Sequence, residues 1–174
     1  SFVPATALNF DRQATFKGSG IYEDLKEKLR AATIAYCDET FWRQNGVNHY
    51  VWYAGNDDLD LFHIDKHLSQ DVAQHLLGDN FDGVMIADGY AGYNGVNSIA
   101  RQSCLAHLIR KAKEIKKQIS LCEEEYQDKR AIAFCDDIKD LFKQACKIGQ
   151  KVKSSDAERN KAGTYKRKLQ RRLK

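Results

Sequence analysis

Asp38 and Asp88 each close a short run of apolar and small residues, Thr33-Ile34-Ala35-Tyr36-Cys37 before the first and Val84-Met85-Ile86-Ala87 before the second. Runs of this kind read as buried strands, and an acid at the end of one sits where a sheet meets solvent. Two carboxylates brought together there are the oxygen donors that hard divalent cations take. A cation so held activates a water or a hydroxyl and stabilises the leaving oxygen of a phosphoryl transfer. One Asp after a strand is more often a turn or cap residue, so the chemistry depends on a fold that sets both strands side by side. Glu39 follows Asp38 directly, points to the opposite strand face, and is not expected to join the pair.

Other residue types invite chemistry less strongly. Cys104 and His107 have a metal-like spacing, but a tetrahedral zinc site needs four ligands, and Cys122 and Cys135 have no partner at short spacing. A structural pair is the expectation there. His63, His67 and His75 show no spacing of a shared ligand set, and His63 is expected at the sheet surface. Trp42, Tyr90 and Tyr93 lie near the acids in sequence and suit either stacking on unpaired bases or ordinary aromatic packing.

The elements that must position the acids are legible from turn chemistry. Asn45-Gly46 suits a type I′ turn and separates a strand at 34–43 from one at 47–54. Gly55-Asn56-Asp57-Asp58 makes a second turn before a third strand at 59–64, with Leu59, Leu61 and His63 on one face. Ser69 as N-cap, Val72, Leu76 and Leu77 as an apolar stripe, and Gly78 as terminator describe a crossover helix. The turn Asp79 to Gly83 then leads into a buried strand at 84–87, expected parallel to an earlier one. Ahead of the sheet a helix at 21–32 turns Ile21, Leu25, Leu29 and Ala32 inward, after a poorly patterned lead containing Pro4. A short strand at 99–104 precedes a helical remainder. Its stripes run through Leu105, Leu108, Ile109, Ala112, Ile115 and Ile119, then Phe134 to Ile148, then Ala162 to Leu173.

At 174 residues and 43% apolar content the chain fits one ordinary core. No run of 18 apolar residues and no signal-peptide pattern indicates a membrane or secretion. Five cysteines without a Cys-x-x-Cys suit a reducing compartment, so the cytoplasm is expected. The chain starts at Ser1 without a Met and stops among basic residues, as a piece of a longer protein would. Its net charge of +4 is uneven: residues 151–174 hold ten Lys or Arg against Asp156 and Glu158, a net of +8, leaving −4 for the rest. Such a block is a solvated helix or a phosphate-binding surface.

The order of helix, three-strand meander, helix, strand, short strand and helices is that of a ribonuclease H-like mixed α/β fold. In that topology strands one and four are neighbours. Three segments carry a more specific likeness: Asp38-Glu39-Thr40-Phe41-Trp42-Arg43, then Asp88-Gly89-Tyr90-Ala91-Gly92-Tyr93-Asn94, then Cys104-Leu105-Ala106-His107-Leu108-Ile109-Arg110-Lys111. Together they resemble the Asp-Glu-Thr-x-Trp, Asp-Gly-Tyr-x-x-Tyr and Cys-x-x-His-x-x-Arg-Lys elements of the DDE transposases of the insertion-sequence sixty-six family.

That resemblance implies a DNA transposase whose residues 1–120 form the catalytic core and whose residues 121–174 belong to a helical insertion. Asp38 and Asp88 would be its first two acids, binding Mg²⁺ or Mn²⁺, and DNA ends would be cut and joined by an oligomer of the chain. Arg110, Lys111, Lys113 and Lys117 are the expected phosphate contacts. The family's third acid lies in an Asn-Asn-x-x-Glu-Arg element, which the 174 residues lack, and is expected beyond Lys174. Glu158-Arg159 follows no Asn pair and is not carried over. Glu124, thirty-five residues separating it from Asp88, is a candidate by the spacing of another DDE subgroup, and Glu114 a lesser one. The alternative is a non-catalytic DNA-binding or assembly module derived from a transposase, or a nuclease of the same fold.

Overall fold

The structure, a computed structural model, describes residues 4–172 and divides into two compact units, up to Ser103 and from Cys104. In the first unit a long helix α1 (Pro4–Arg30) leads into strands β1 (Ile34–Gln44), β2 (Val47–Gly55) and β3 (Asp60–Asp65). Helix α2 (Gln70–Leu77), β4 (Asn80–Ala87), a 3-10 turn (Ala91–Gly95) and β5 (Asn97–Ser103) follow. The five strands form one mixed sheet in the order β3-β2-β1-β4-β5. The pairs β1–β2 and β2–β3 are antiparallel, whereas β1–β4 and β4–β5 are parallel.

Local chemistry accounts for the connections. Asn45 and Gly46 take φ of 49° and 78°, the left-handed values a type I′ turn requires, so Gln44 pairs directly with Val47. Helix α2 is the crossover that lets β4 lie parallel to β1. Gly78, at φ 82°, ends it, while Ser69 occupies the N-cap position without a capping side-chain bond. Strand β4 starts at Asn80, inside the stretch expected to be a turn, and its pairing with β5 is irregular between Phe81 and Val84. Gly83 sits in that irregularity. A Cβ there would lie 2.7 Å from the Ala32 carbonyl oxygen and 2.8 Å from the Phe81 ring, so the bulge admits no side chain.

Strand alternation decides which face is covered. Ala35 and Cys37 of β1, Trp52 and Ala54 of β2, Leu61 of β3, and Phe81, Met85 and Ala87 of β4 are buried in one cluster with Leu29 of α1 and Val72, Ala73, Leu76 and Leu77 of α2. The intervening residues, Ile34, Tyr36, Asp38, Tyr53, Val84 and Ile86, are half-buried on the opposite face. On α1 the inward stripe is Tyr22, Leu25 and Leu29. Ile21, expected inward, is 63% exposed, because one residue is about 100° of helix and Tyr22 holds the centre of the stripe. Lys26, also buried, pairs with Glu23 at 2.5 Å.

The second unit is helical: α3 (Leu105–Ser120), a 3-10 turn (Glu124–Tyr126), α4 (Lys129–Ser154), α5 (Asp156–Arg159) and α6 (Ala162–Arg172). Helices α3 and α4 pack together, and Asp136 of α4 joins them by receiving Lys116 at 2.5 Å while holding Lys139 at 2.6 Å. Asp128 caps α4 by accepting from the N–H groups of Arg130 and Ala131 at 2.9 and 3.1 Å. The compact units part ahead of α3. Among the described residues no helix is long and apolar enough to cross a membrane.

Candidate acidic site on two parallel strands

Strands β1 and β4 pair as Ile34 with Val84, Ala35 with Met85 and Tyr36 with Ile86. The pairing ends at Tyr36 and Ile86, each two residues short of an acid, Asp38 on β1 and Asp88 beyond β4. Both acids are half-buried, and alternation along β1 puts Asp38 on the face away from α1 and α2. Asp88 follows the last residue of β4, while Asp38 is mid-strand, because β1 runs on to Gln44 along its hairpin partner. Each carboxylate also orders its own backbone: Asp38 Oδ1 accepts the Glu39 N–H at 3.0 Å, and Asp88 Oδ1 accepts the Tyr90 N–H at 2.8 Å. The second bond is an Asx turn that swings the chain off the strand end. Across from Asp38 on β2 stands Tyr53. Burial, and then the hydrogen bond its hydroxyl donates to Asp60 at 2.7 Å, push that phenol up to about 12.

A hydrogen bond not foreseen in the sequence ties the two acidic segments together. Tyr93, in the 3-10 turn after Asp88, is 1% exposed, and its hydroxyl donates to Glu39 Oε2 at 2.6 Å. Burial, reinforced by the neighbouring carboxylate, raises the phenol far above its ordinary value. Glu39 is therefore on the covered face and bound to the β4 side of the site. Tyr90 donates its hydroxyl to the Leu68 carbonyl at 2.6 Å, and the rings of Trp52, Tyr90 and Tyr93 stand 5.8 to 6.3 Å apart. Arg101 of β5 places its guanidinium 5.9 Å from the Tyr93 ring centre and donates to Asn94 at 2.5 Å.

As a donor set, Asp38 and Asp88 offer two hard carboxylates. No group of three or more His, Cys, Asp or Glu side chains among the described residues is arranged to hold a metal ion. That applies to Cys104 and His107 as well: Arg110 donates to His107 Nε2 at 2.6 Å, and since guanidinium has only donors, Nε2 must be the unprotonated nitrogen. His63, His67 and His75, unrelated by spacing, do converge, lining with Asp65 a cavity of about 510 Å³. His63 faces the helices, its Nδ1 3.4 Å from the Tyr22 hydroxyl and its ring 5.0 Å from that of His75. Asp65 is held low by the His67 N–H and then the imidazole, while burial and nearby cations lower His75.

Residues 7–174 match the profile of the Transposase IS66 family. The chain belongs to that family. No curated protein and no solved structure is similar enough to the chain to count as a match. Within this IS66 family chain the Asp-Glu-Thr segment supplies both Asp38 and the carboxylate that Tyr93 binds, and the Asp-Gly-Tyr-x-x-Tyr segment supplies Asp88 and both tyrosines. The basic residues expected to meet DNA lie exposed on α3, in the second unit. Arg110 is joined to His107, and Lys111 to Glu114 at 3.5 Å. Lys113 and Lys117 have no ion pair among the described residues. Glu123, Glu124 and Glu125 are exposed around their 3-10 turn.

Proposed function

We propose that the first unit is the ribonuclease H-like core of a DDE transposase, which cleaves phosphodiester bonds at the ends of an insertion sequence and joins them to target DNA. The observation that carries this reading is the parallel pairing of β1 with β4 as far as Tyr36 and Ile86, which brings side by side the strands that lead to Asp38 and Asp88. Family membership and the strand order β3-β2-β1-β4-β5 support it. The pair fits Mg²⁺ or Mn²⁺, since Mg²⁺ is commonly held by one or two carboxylates, with water and substrate phosphate completing its shell. Bound there, the ion would polarise the phosphodiester and lower the pKa of the attacking hydroxyl. Asp38 and Asp88 would hold that ion. Tyr93 and Glu39 fix the spacing of the two segments, and Arg110, Lys111, Lys113 and Lys117 bind backbone phosphates. The chain would act in the cytoplasm as a homo-oligomer assembled on DNA.

A non-catalytic DNA-binding module descended from a transposase is the second reading, favoured by the lack of a third metal-binding side chain beside the pair among the described residues. Mn²⁺ binding followed by electron paramagnetic resonance separates the two. The catalytic reading expects weak binding that disappears in Asp38→Asn and Asp88→Asn with circular dichroism and melting unchanged. Equal Mn²⁺ binding in both variants sinks it. Nicking of a supercoiled plasmid in Mn²⁺, lost on Glu124→Gln, would assign Glu124 as the third acid.

A further inference from the structure

The outer arm of the β1–β2 hairpin carries chemistry that the acids do not use. Beyond Asp38 the strand continues to Gln44, and residues 40 to 48 are exposed. Alternation puts Thr40, Trp42 and Gln44 on the face of Asp38. Trp42 pairs with His49 across the hairpin, their rings 6.2 Å apart and tilted by 56°. With Gln44, Ile64, Asp65, Lys66 and His67 they line a cavity of about 520 Å³. Trp42 is 38% exposed, whereas the other tryptophan, Trp52, is fully buried. Trp42 stands four positions along the strand from Asp38, about 13 Å, a distance spanned by about four stacked nucleotides and by fewer when they are unstacked.

We propose that this groove binds an unpaired base of the DNA strand whose phosphate lies at Asp38 and Asp88. Trp42 supplies the stacking face, His49 the second wall, Gln44 a donor and an acceptor for the base edge, and Lys66 a charge for the phosphate. A protein partner would need a dry apolar centre, which Gln44, His49 and Lys66 do not provide. A planar guest with hydrogen-bonding edges suits the mixture of an exposed indole, an amide, imidazoles and the Asp65 carboxylate, with the Lys66 ammonium to meet its phosphate. The inference rests on the catalytic reading for the strand's path.

Binding of a fluorescent oligothymidylate of about twenty nucleotides tests it, against a blunt duplex of the same length. Trp42→Ala is expected to weaken single-strand binding about five- to hundredfold while leaving the duplex unchanged, and Trp42→Tyr to retain most of the affinity. In the unaltered protein, oligothymidylate should shield the exposed tryptophan from acrylamide, a measurement that needs no variant. Equal oligothymidylate affinity in Trp42→Ala, loss of equal size on the duplex, or tryptophan quenching that oligothymidylate leaves unchanged would each overturn the proposal. Asp38→Asn keeps the failures apart. Loss of the catalytic reading appears as unaltered Mn²⁺ binding in that variant, whatever Trp42 does.

Discussion

Tyr93→Phe deletes one oxygen and keeps the ring that fills the core against Trp52. It removes a buried donor to a carboxylate, so urea denaturation should show a loss of about 1.5–3 kcal/mol, and Mn²⁺ affinity should fall with it, because the bond holds the residue next to Asp38. Stability lost with no change in Mn²⁺ affinity would make the bond purely structural. At this scale the sequence displayed the acids plainly, since each ends an apolar run. It hid their support. Glu39 and Tyr93 are 54 positions apart, and no periodicity links a strand residue to a turn residue across such a gap. The meeting of His63 with His75 is hidden likewise: alternation puts Leu61 and His63 on one face, but that the helices cover this face, so that His63 leaves the sheet surface expected of it, needs the third dimension.

The elements themselves were mostly legible because their signals are local. The Asn45-Gly46 turn needs two positive φ angles, and the crossover helix has its own stripe and its own terminating glycine. Where polar residues continue a strand, as at Asn80 and Asp82, the pattern reads as a turn, and the start of β4 was missed. That strand's bulge offers the sharpest test at this scale. Gly83→Ala places a methyl against the Ala32 carbonyl, whose oxygen cannot yield as a flexible side chain would. A cost of about 1–3 kcal/mol is expected. Since Ala32 leads into β1 and Gly83 into the residues that pair with it, Mn²⁺ binding should suffer more than melting does. Gly46→Ala, strained only by its φ of 78° in open space, should cost about 1 kcal/mol and leave the metal untouched.

Over the whole chain, three buried or partly buried groups set the alkaline limit. Burial pushes Cys37 up to about 12 from an ordinary 9.0 and Tyr53 up to about 12 from 10.0, and Tyr93 higher still. Raised values in the folded state mean that the unfolded chain loses its protons first. Their contribution is intact below pH 9 and is lost as pH rises through 12, so urea midpoints should fall steadily across that range, less steeply in Tyr93→Phe. Charge is divided as unevenly as structure. Residues 1–103 hold eight Lys or Arg against fourteen acids, a net of −6, and residues 104–174 hold twenty against ten, a net of +10. The sequence-independent affinity for duplex DNA should therefore reside in the helical unit. Lys113→Ala and Lys117→Ala should each reduce the salt slope by about 0.9 for all duplex sequences, and Lys116→Ala, already held by Asp136, by less. The same division gives one chain the character of an ampholyte, its basic unit able to attract the acidic unit of another copy. In dilute buffer, where the screening length reaches about 30 Å, copies should associate and sediment faster as protein concentration rises. Salt near the physiological level, or a short duplex that occupies the basic unit, should disperse them, so an unliganded stock is best kept salted until DNA is added.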